Sequence, residues 1–477
     1  MLRDGKHYEL PEKLREPAMG TGLSRGSYVE YDAKGTMRCL GDGTEIPVHF
    51  RCSQHLDGTI AVSAEIEGKD HSRYFLTVQK SFQESLRVEL VGETEDGKTI
   101  TIDEARITSC SSHFAAEFTL SDIRLLALQF DVKGRTTMSE GATLTLRFGI
   151  TNFKLFRASV QTRFGNLIFA NHPQYEEILR GIETYKETSL TCFAMLTLDP
   201  NIRYETAEGY LNAVKDDMTR ILTLSSFAQG SFQDWMFCEI FEETDGQREM
   251  VYAHHRLPRI KPTGFHEIIY LPAIAEYLSK TYPSYGDDLD EERGFNYALE
   301  WYLESLSAEV IESRFLLAFI SLELLVDRFE TANNRELVLD KRDFEQFFER
   351  LQKKAKEILE EMGVEPDKRG AIYSGLRGAN RYSTESSLQL MLTHYKIGHK
   401  DVVSNLNEII SIRDEIVHRG VAKLDGKTLI DKYVRLMCLI QRILLSFLDY
   451  DGSIMDWSNG YKVIGFARDP LVEFPAE

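Results

Sequence analysis

The stretch Ser411–Gly420, SIRDEIVHRG, carries Arg413, Asp414 and His418, three side chains whose types and spacing fit a reaction. It reads as the last turns of a helix over 401–419, with Asp401 able to cap the start and Gly420 able to end it in the left-handed conformation. Leu406, Ile409, Ile410, Ile416 and Val417 form the expected buried stripe, and Arg413 falls inside it, where packing favours an aliphatic residue. Asp414 and His418 stand one helical turn apart, so the carboxylate can hydrogen-bond the imidazole. Arg413 and His418 lie about 140° apart around an ideal helix. The long arginine side chain can bridge that angle, or two copies of the helix can meet across a two-fold axis and combine their groups. An imidazole in the last turn stands at the negative end of the helix dipole and exchanges protons near neutral pH. A guanidinium offers a planar donor fork suited to phosphate. Together they supply what strand scission by an RNA 2′-hydroxyl needs, with no metal and no cofactor. An exposed histidine and an ion-paired arginine fit the same spacing.

Arg106 with His113, Arg248 with His254 or His255, and Arg259 with His266 have similar separations. Those pairs fall on expected strands or across a Pro/Gly loop, without a shared helical frame. Glu323 lies on EVIESRFLLAFISLELLVDRFET, residues 309–331, which is apolar nearly all round and reads as a central core helix. A carboxylate among Leu316, Phe319 and Ile320 requires a cationic or hydrogen-bonding partner. It serves either to fix a neighbouring arginine or backbone donor or to support the catalytic groups. Candidate RNA contacts are Arg419, Lys396 and His399 in or beside the site helix, and Arg377 and Arg381 in the segment Asp367–Arg381; a solvated loop is the alternative both for that segment and for Thr393–Lys400. His394 and His399 lack a third partner at metal-ligand spacing.

The elements that must position these groups fall in two regions of an α+β chain. Residues 1–265 are β-rich, sandwich- or barrel-like, with a few helices, and are read as a regulatory or sensor region of one or two subdomains. Short runs such as EIPVHFRC, GTIAVSAEIEG, RYFLTVQK and TLTLRFGI recur at intervals of roughly ten residues, and Asp57-Gly58 and Asp96-Gly97 suit hairpins. Helical spacing marks 172–187 and 204–224. Residues 266–450 read as a helical bundle, with helices at about 266–281, 289–307, 309–331, 341–362, 385–396, 401–419 and 427–449, and with 363–384 breaking the periodicity. Residues 451–477 form a C-terminal extension.

The chain has 477 residues, 43% hydrophobic and 27% charged, with a formal net charge of −19. That charge argues against constitutive, non-specific nucleic-acid binding and calls for a locally positive site in an acidic body, restrained until needed. No apolar run approaches the roughly 20 residues of a membrane span, and the charged start lacks a secretion signal, so a cytoplasmic protein is expected. Six scattered cysteines without a CxxC pair suit reduced thiols. There is no Gly-rich phosphate loop ending in Lys-Ser/Thr, no GxSxG and no HExxH.

A helix like RFLLAFISLELL followed by one ending IRDEIVHRG resembles the HEPN superfamily, and is most similar to its ApeA-like branch, in which a β-rich region precedes the HEPN domain. The matching motif is R-φ-x3-H with φ polar, here Arg413, Asp414 and His418; the family often has Asn at the position of Asp414. The resemblance covers about 290–450. It implies a metal-independent endoribonuclease of bacterial anti-phage abortive infection, a homodimer with paired motifs, acting on single-stranded RNA loops such as those of tRNA. The products would bear 2′,3′-cyclic phosphates, and a phage-derived trigger is implied. A non-catalytic HEPN dimerisation module is one alternative. A sensor whose helical half only transmits a signal is another.

Overall fold

Alternation of buried and exposed residues along extended runs builds the first part of the chain, and helical amphipathicity builds the second. The computed structural model describes residues 27–466 apart from 69–70, 116–117, 135–141, 155–157, 186–187, 260–265, 336 and 459. The α+β class expected from the sequence is the class observed. Two compact units divide at Tyr282/Pro283.

The first unit contains β1 (Ser27–Cys39), β2 (Glu45–His55), β3 (Ile60–Ile66), α1 (His71–Gln83), β4 (Arg87–Thr94), β5 (Thr99–Ala115), β6 (Phe118–Ala127) and β7 (Gln129–Lys133). It continues with β8 (Thr143–Thr151), β9 (Ala158–Thr162), β10 (Gly165–Asn171), α2 (Tyr175–Tyr185), β11 (Leu190–Leu198), α3 (Ala207–Gln229), β12 (Asp234–Thr244), β13 (Gln247–Arg256) and α4 (Ile274–Thr281). The strands run β4-β1-β2-β3-β6-β5-β7-β13-β12-β8-β11-β10-β9, and β5 also pairs with β4, so the first six strands of that order close into a barrel. Met37, Ile46, Val48, Phe50, Leu90 and Ile102 fill its interior. Gly35 and Gly92 face each other across β1 and β4; a Cβ on Gly35 would meet the Val91 carbonyl at 1.9 Å, so the close approach of these strands requires glycine there. The remaining strands form an open sheet carrying α2, α3 and α4.

RYFLTVQK, expected as a strand, lies in α1. A strand would bury Tyr74, Leu76 and Val78 together, whereas Tyr74, Phe75 and Val78 pack on the barrel core and Leu76 is 64% exposed. The expected boundary at 265/266 also moves, because α4 packs on α3 and β9 within the first unit.

The second unit is built from α5 (Asp287–Glu291), α6 (Phe295–Ser307), α7 (Ile311–Ala332), α8 (Lys341–Glu361), α9 (Pro366–Arg377), α10 (Thr384–His394), α11 (Leu406–Arg419) and α12 (Gly426–Phe447). The hairpin β14 (Gly452–Asp456) and β15 (Lys462–Phe466) follows inside the expected extension; 467–477 lie outside the described residues. As expected of a core helix, α7 packs against α6, α10, α11 and α12. The Ser321 hydroxyl donates to the Ala298 carbonyl at 2.7 Å, and the Gln441 amide donates to the Tyr302 hydroxyl at 2.8 Å, pinning these layers with buried polar bonds. The segment 363–384, expected to be irregular, contains α9, whose Pro366 sits in the first turn, where a missing N–H is harmless.

Candidate functional site

Helix α11 begins at Leu406, later than expected, because Val402 and Val403 are buried and turn the chain first. Its cap is Asn405, whose side chain accepts the Asn407 N–H at 3.0 Å. Asp401, expected as the cap, instead takes both arms of Arg442, at 2.7 and 2.6 Å, which holds its carboxyl below the usual range. At the other end Gly420 adopts φ 79° and its N–H bonds the Ile416 carbonyl at 2.8 Å, the expected left-handed termination.

The buried face of α11 is Leu406, Ile409, Ile412 and Ile416. The expected stripe is thereby corrected: Ile412 replaces Val417, which is 53% exposed, and Ile410 is half-buried. Arg413 emerges at the edge of this face. Its Nη2 donates to Glu323 Oε1 at 2.6 Å, its Nη1 donates to Asp414 Oδ1 at 2.9 Å, and its guanidinium lies 5.6 Å from the centroid of the Phe319 ring. Phe319 and Glu323 are one turn apart on α7, so a single row of the core helix offers both an aromatic face and a carboxylate to the arginine. Of the cationic or hydrogen-bonding partners its position called for, Glu323 has a cationic one. Burial raises its proton affinity above that of an ordinary glutamate, Arg413 opposes the shift and Asp414 reinforces it.

His418 is exposed in the last turn of α11 and makes no hydrogen bond or ion pair among the described residues. The expected Asp414–His418 bond is absent among these residues. Asp414 turns to Arg413 instead, since a permanent cation is a stronger partner than an imidazole.

The candidate RNA contacts disperse. Arg419 and Lys396 are exposed. His399 is only 8% exposed; its carbonyl accepts the Val402 and Val403 N–H groups, and burial lowers its affinity for a proton, so its ring is a packing element rather than a surface contact. Arg377 packs its guanidinium over Phe348 at 5.2 Å. Arg381 alone among them joins Glu323, in the lining of a cavity of about 490 Å³.

That cavity brings in residues the sequence reading passed over: Asp327, Glu330, Tyr382 and Ser387. A signal for the first two was present. Glu323, Asp327 and Glu330 recur at helical spacing along a largely apolar helix, a pattern that places three carboxylates on one face. Among the described residues, no group of His, Cys, Asp and Glu could hold a metal ion, and no helix is long and apolar enough to cross a membrane. No family model, curated protein or solved structure matches the chain.

Proposed function

We propose that the chain is a metal-independent endoribonuclease of bacterial anti-phage defence, a cytoplasmic homodimer that cuts single-stranded RNA loops, tRNA among them. The observation that carries the reading is the division of labour on α11: a guanidinium anchored to the core helix and, in the last turn, an exposed imidazole committed to nothing else.

In this reading His418 transfers the proton, accepting it from the 2′-hydroxyl or donating it to the 5′-oxygen leaving group. Attack of the 2′-oxygen on phosphorus forms one P–O bond and breaks the bond to the 5′-oxygen, leaving a 2′,3′-cyclic phosphate and a 5′-hydroxyl. Arg413 stabilises the charge on the non-bridging oxygens. Two of its five N–H donors are engaged, so the others remain for phosphate. Glu323 and Asp414 outnumber the single cation, which opposes anion approach and restrains the resting site until the β-rich region receives its trigger.

Cleavage of a mixed tRNA pool in EDTA, by wild type and by His418→Ala, tests this. Cutting by wild type alone supports it; equal cutting by both defeats the assignment of His418.

The pairing of Arg413 with two carboxylates favours a second reading, a non-catalytic module in which the ion pair clamps α11 to α7. Absence of cleavage by wild type, with or without phage lysate, and with the dimer intact, would favour it.

A further inference from the structure

The cavity beside Arg413 has walls suited to a planar base with two adjacent N–H donors. Three carboxylates of α7 reach it, but two are already occupied: Glu323 by Arg413, and Glu330 by the hydroxyl of Ser387. Asp327, an exposed residue of the lining, has no side-chain hydrogen-bond or ion-pair partner among the described residues, so its carboxylate is uncommitted. The exposed Arg381 side chain likewise has no hydrogen-bond or ion-pair partner among those residues, and Tyr382 stands next to it in the lining. Val326 and Leu337 add apolar wall.

The far wall is fixed in advance. Asn380, 6% exposed, donates to the Leu339 carbonyl at 2.9 Å and accepts the Leu339 N–H at 2.8 Å, while its own carbonyl accepts the Val338 N–H at 2.9 Å. The segment that brings Leu337 is thereby locked to the one that brings Arg381 and Tyr382.

At about 490 Å³ the space exceeds what a lone ammonium or guanidinium fills and falls within the range of nucleotide-sized sites. A carboxylate with two free oxygens pairs best with two neighbouring donors. Among the RNA bases, guanine presents them, N1–H beside the N2 amino group. Adenine and cytosine set an amino group beside a ring-nitrogen lone pair, and uracil sets one N–H between two carbonyls, so each brings repulsion to the same carboxylate.

We propose that this cavity is a guanine subsite, in which Asp327 accepts from N1–H and N2–H, Tyr382 covers the base face and Arg381 holds the attached phosphate. Because Glu323 belongs both to this lining and to the Arg413 pair, a guanine here sits next to the candidate scissile phosphate. The role in choosing the cleavage site rests on the ribonuclease reading; the binding itself does not.

Calorimetric titration of the full chain with 5′-GMP, 5′-AMP, 5′-CMP, 5′-UMP and guanosine tests the proposal. Expected is binding of 5′-GMP at least about tenfold tighter than that of the other nucleotides, a loss of about tenfold or more in Asp327→Asn, and weakening of 5′-GMP but not guanosine in Arg381→Ala. Equal affinity for 5′-GMP and 5′-AMP, or an unaffected Asp327→Asn, overturns it. Asp327-dependent binding of N-acetylargininamide without binding of 5′-GMP also overturns it, marking a receptor for a cationic side chain instead. Selective 5′-GMP binding by a chain that cuts no RNA sustains the subsite while removing the nuclease reading alone.

Discussion

Arg413 and Glu323 are 90 residues apart in the chain and 2.6 Å apart in the structure. Through this pair the helix that carries the motif is tied to the core helix of its unit. Neither partner is deeply buried: their side chains are 33% and 35% exposed. The pair therefore aligns α11 more than it stabilises the fold, and after solvent screening its loss costs on the order of 1 kcal/mol.

His418→Ala should abolish RNA cleavage while changing the melting temperature little. An exposed side chain without partners contributes within about 0.5 kcal/mol. Product ends mapped on tRNA, together with a thermal melt, check both halves. A large fall in melting temperature would mean that the histidine is structural.

Replacing Arg413 by Lys keeps the charge but loses the fork that reaches Glu323 and Asp414 together. Cleavage should fall by about 10²- to 10³-fold, the loss that follows removal of an oriented donor from a developing oxyanion. Asp414→Asn should act in the opposite direction on RNA binding, since it removes a charge that repels phosphate. Filter binding with His418→Ala as the inactive background separates the effects.

Burial makes Glu323 hold its proton to higher pH than the ordinary 4.5. Its folded-state pKa therefore exceeds its unfolded value, so its contribution is most favourable below the unfolded value and declines as pH rises through the folded one. Glu323→Gln does not titrate. The melting temperature of Glu323→Gln minus that of wild type should accordingly rise between about pH 4 and pH 7. A flat or falling difference would show that the Arg413 attraction outweighs burial.

Gly420 ends the site helix at φ 79°, with open space around the position of a Cβ. Gly420→Ala therefore meets backbone strain alone, costing about 1 kcal/mol. The strain falls on the turn that holds His418. Faster amide exchange over the end of α11 and reduced cleavage should appear together.

In the β-rich unit, Arg147 and Glu239 form a buried pair, with Arg147 Nε donating to Glu239 Oε2 at 2.6 Å and side chains 16% and 7% exposed. Glu239→Ala removes the carboxylate that faces a largely buried cation and should cost about 3–5 kcal/mol; the double change Arg147→Met with Glu239→Leu should recover most of that. Urea denaturation of the three proteins measures it. Equal losses in the single and double variants would show that the pair itself is required.

What the sequence determined by itself was whatever repeats locally. The period-two pattern up to about 160 and the helical period from about 266 divide the chain into a β-rich and a helical part, although the structure shifts that boundary. Residue chemistry alone placed Gly420 at a helix end, α7 in a core, and a cationic or hydrogen-bonding partner beside Glu323. Contacts between distant segments decided the rest. Barrel closure depends on β5 pairing with β4 as well as β6, and α1 is a helix because a barrel offered its apolar face a place to pack. Asp414 chose Arg413 over His418 because the guanidinium was already steered there by Glu323. The cavity exists only where α7 meets the segments at 337 and 381, whose joining hydrogen bonds at Asn380 no local pattern encodes. Periodicity reports which face of an element seeks burial; which partner covers that face depends on the whole chain.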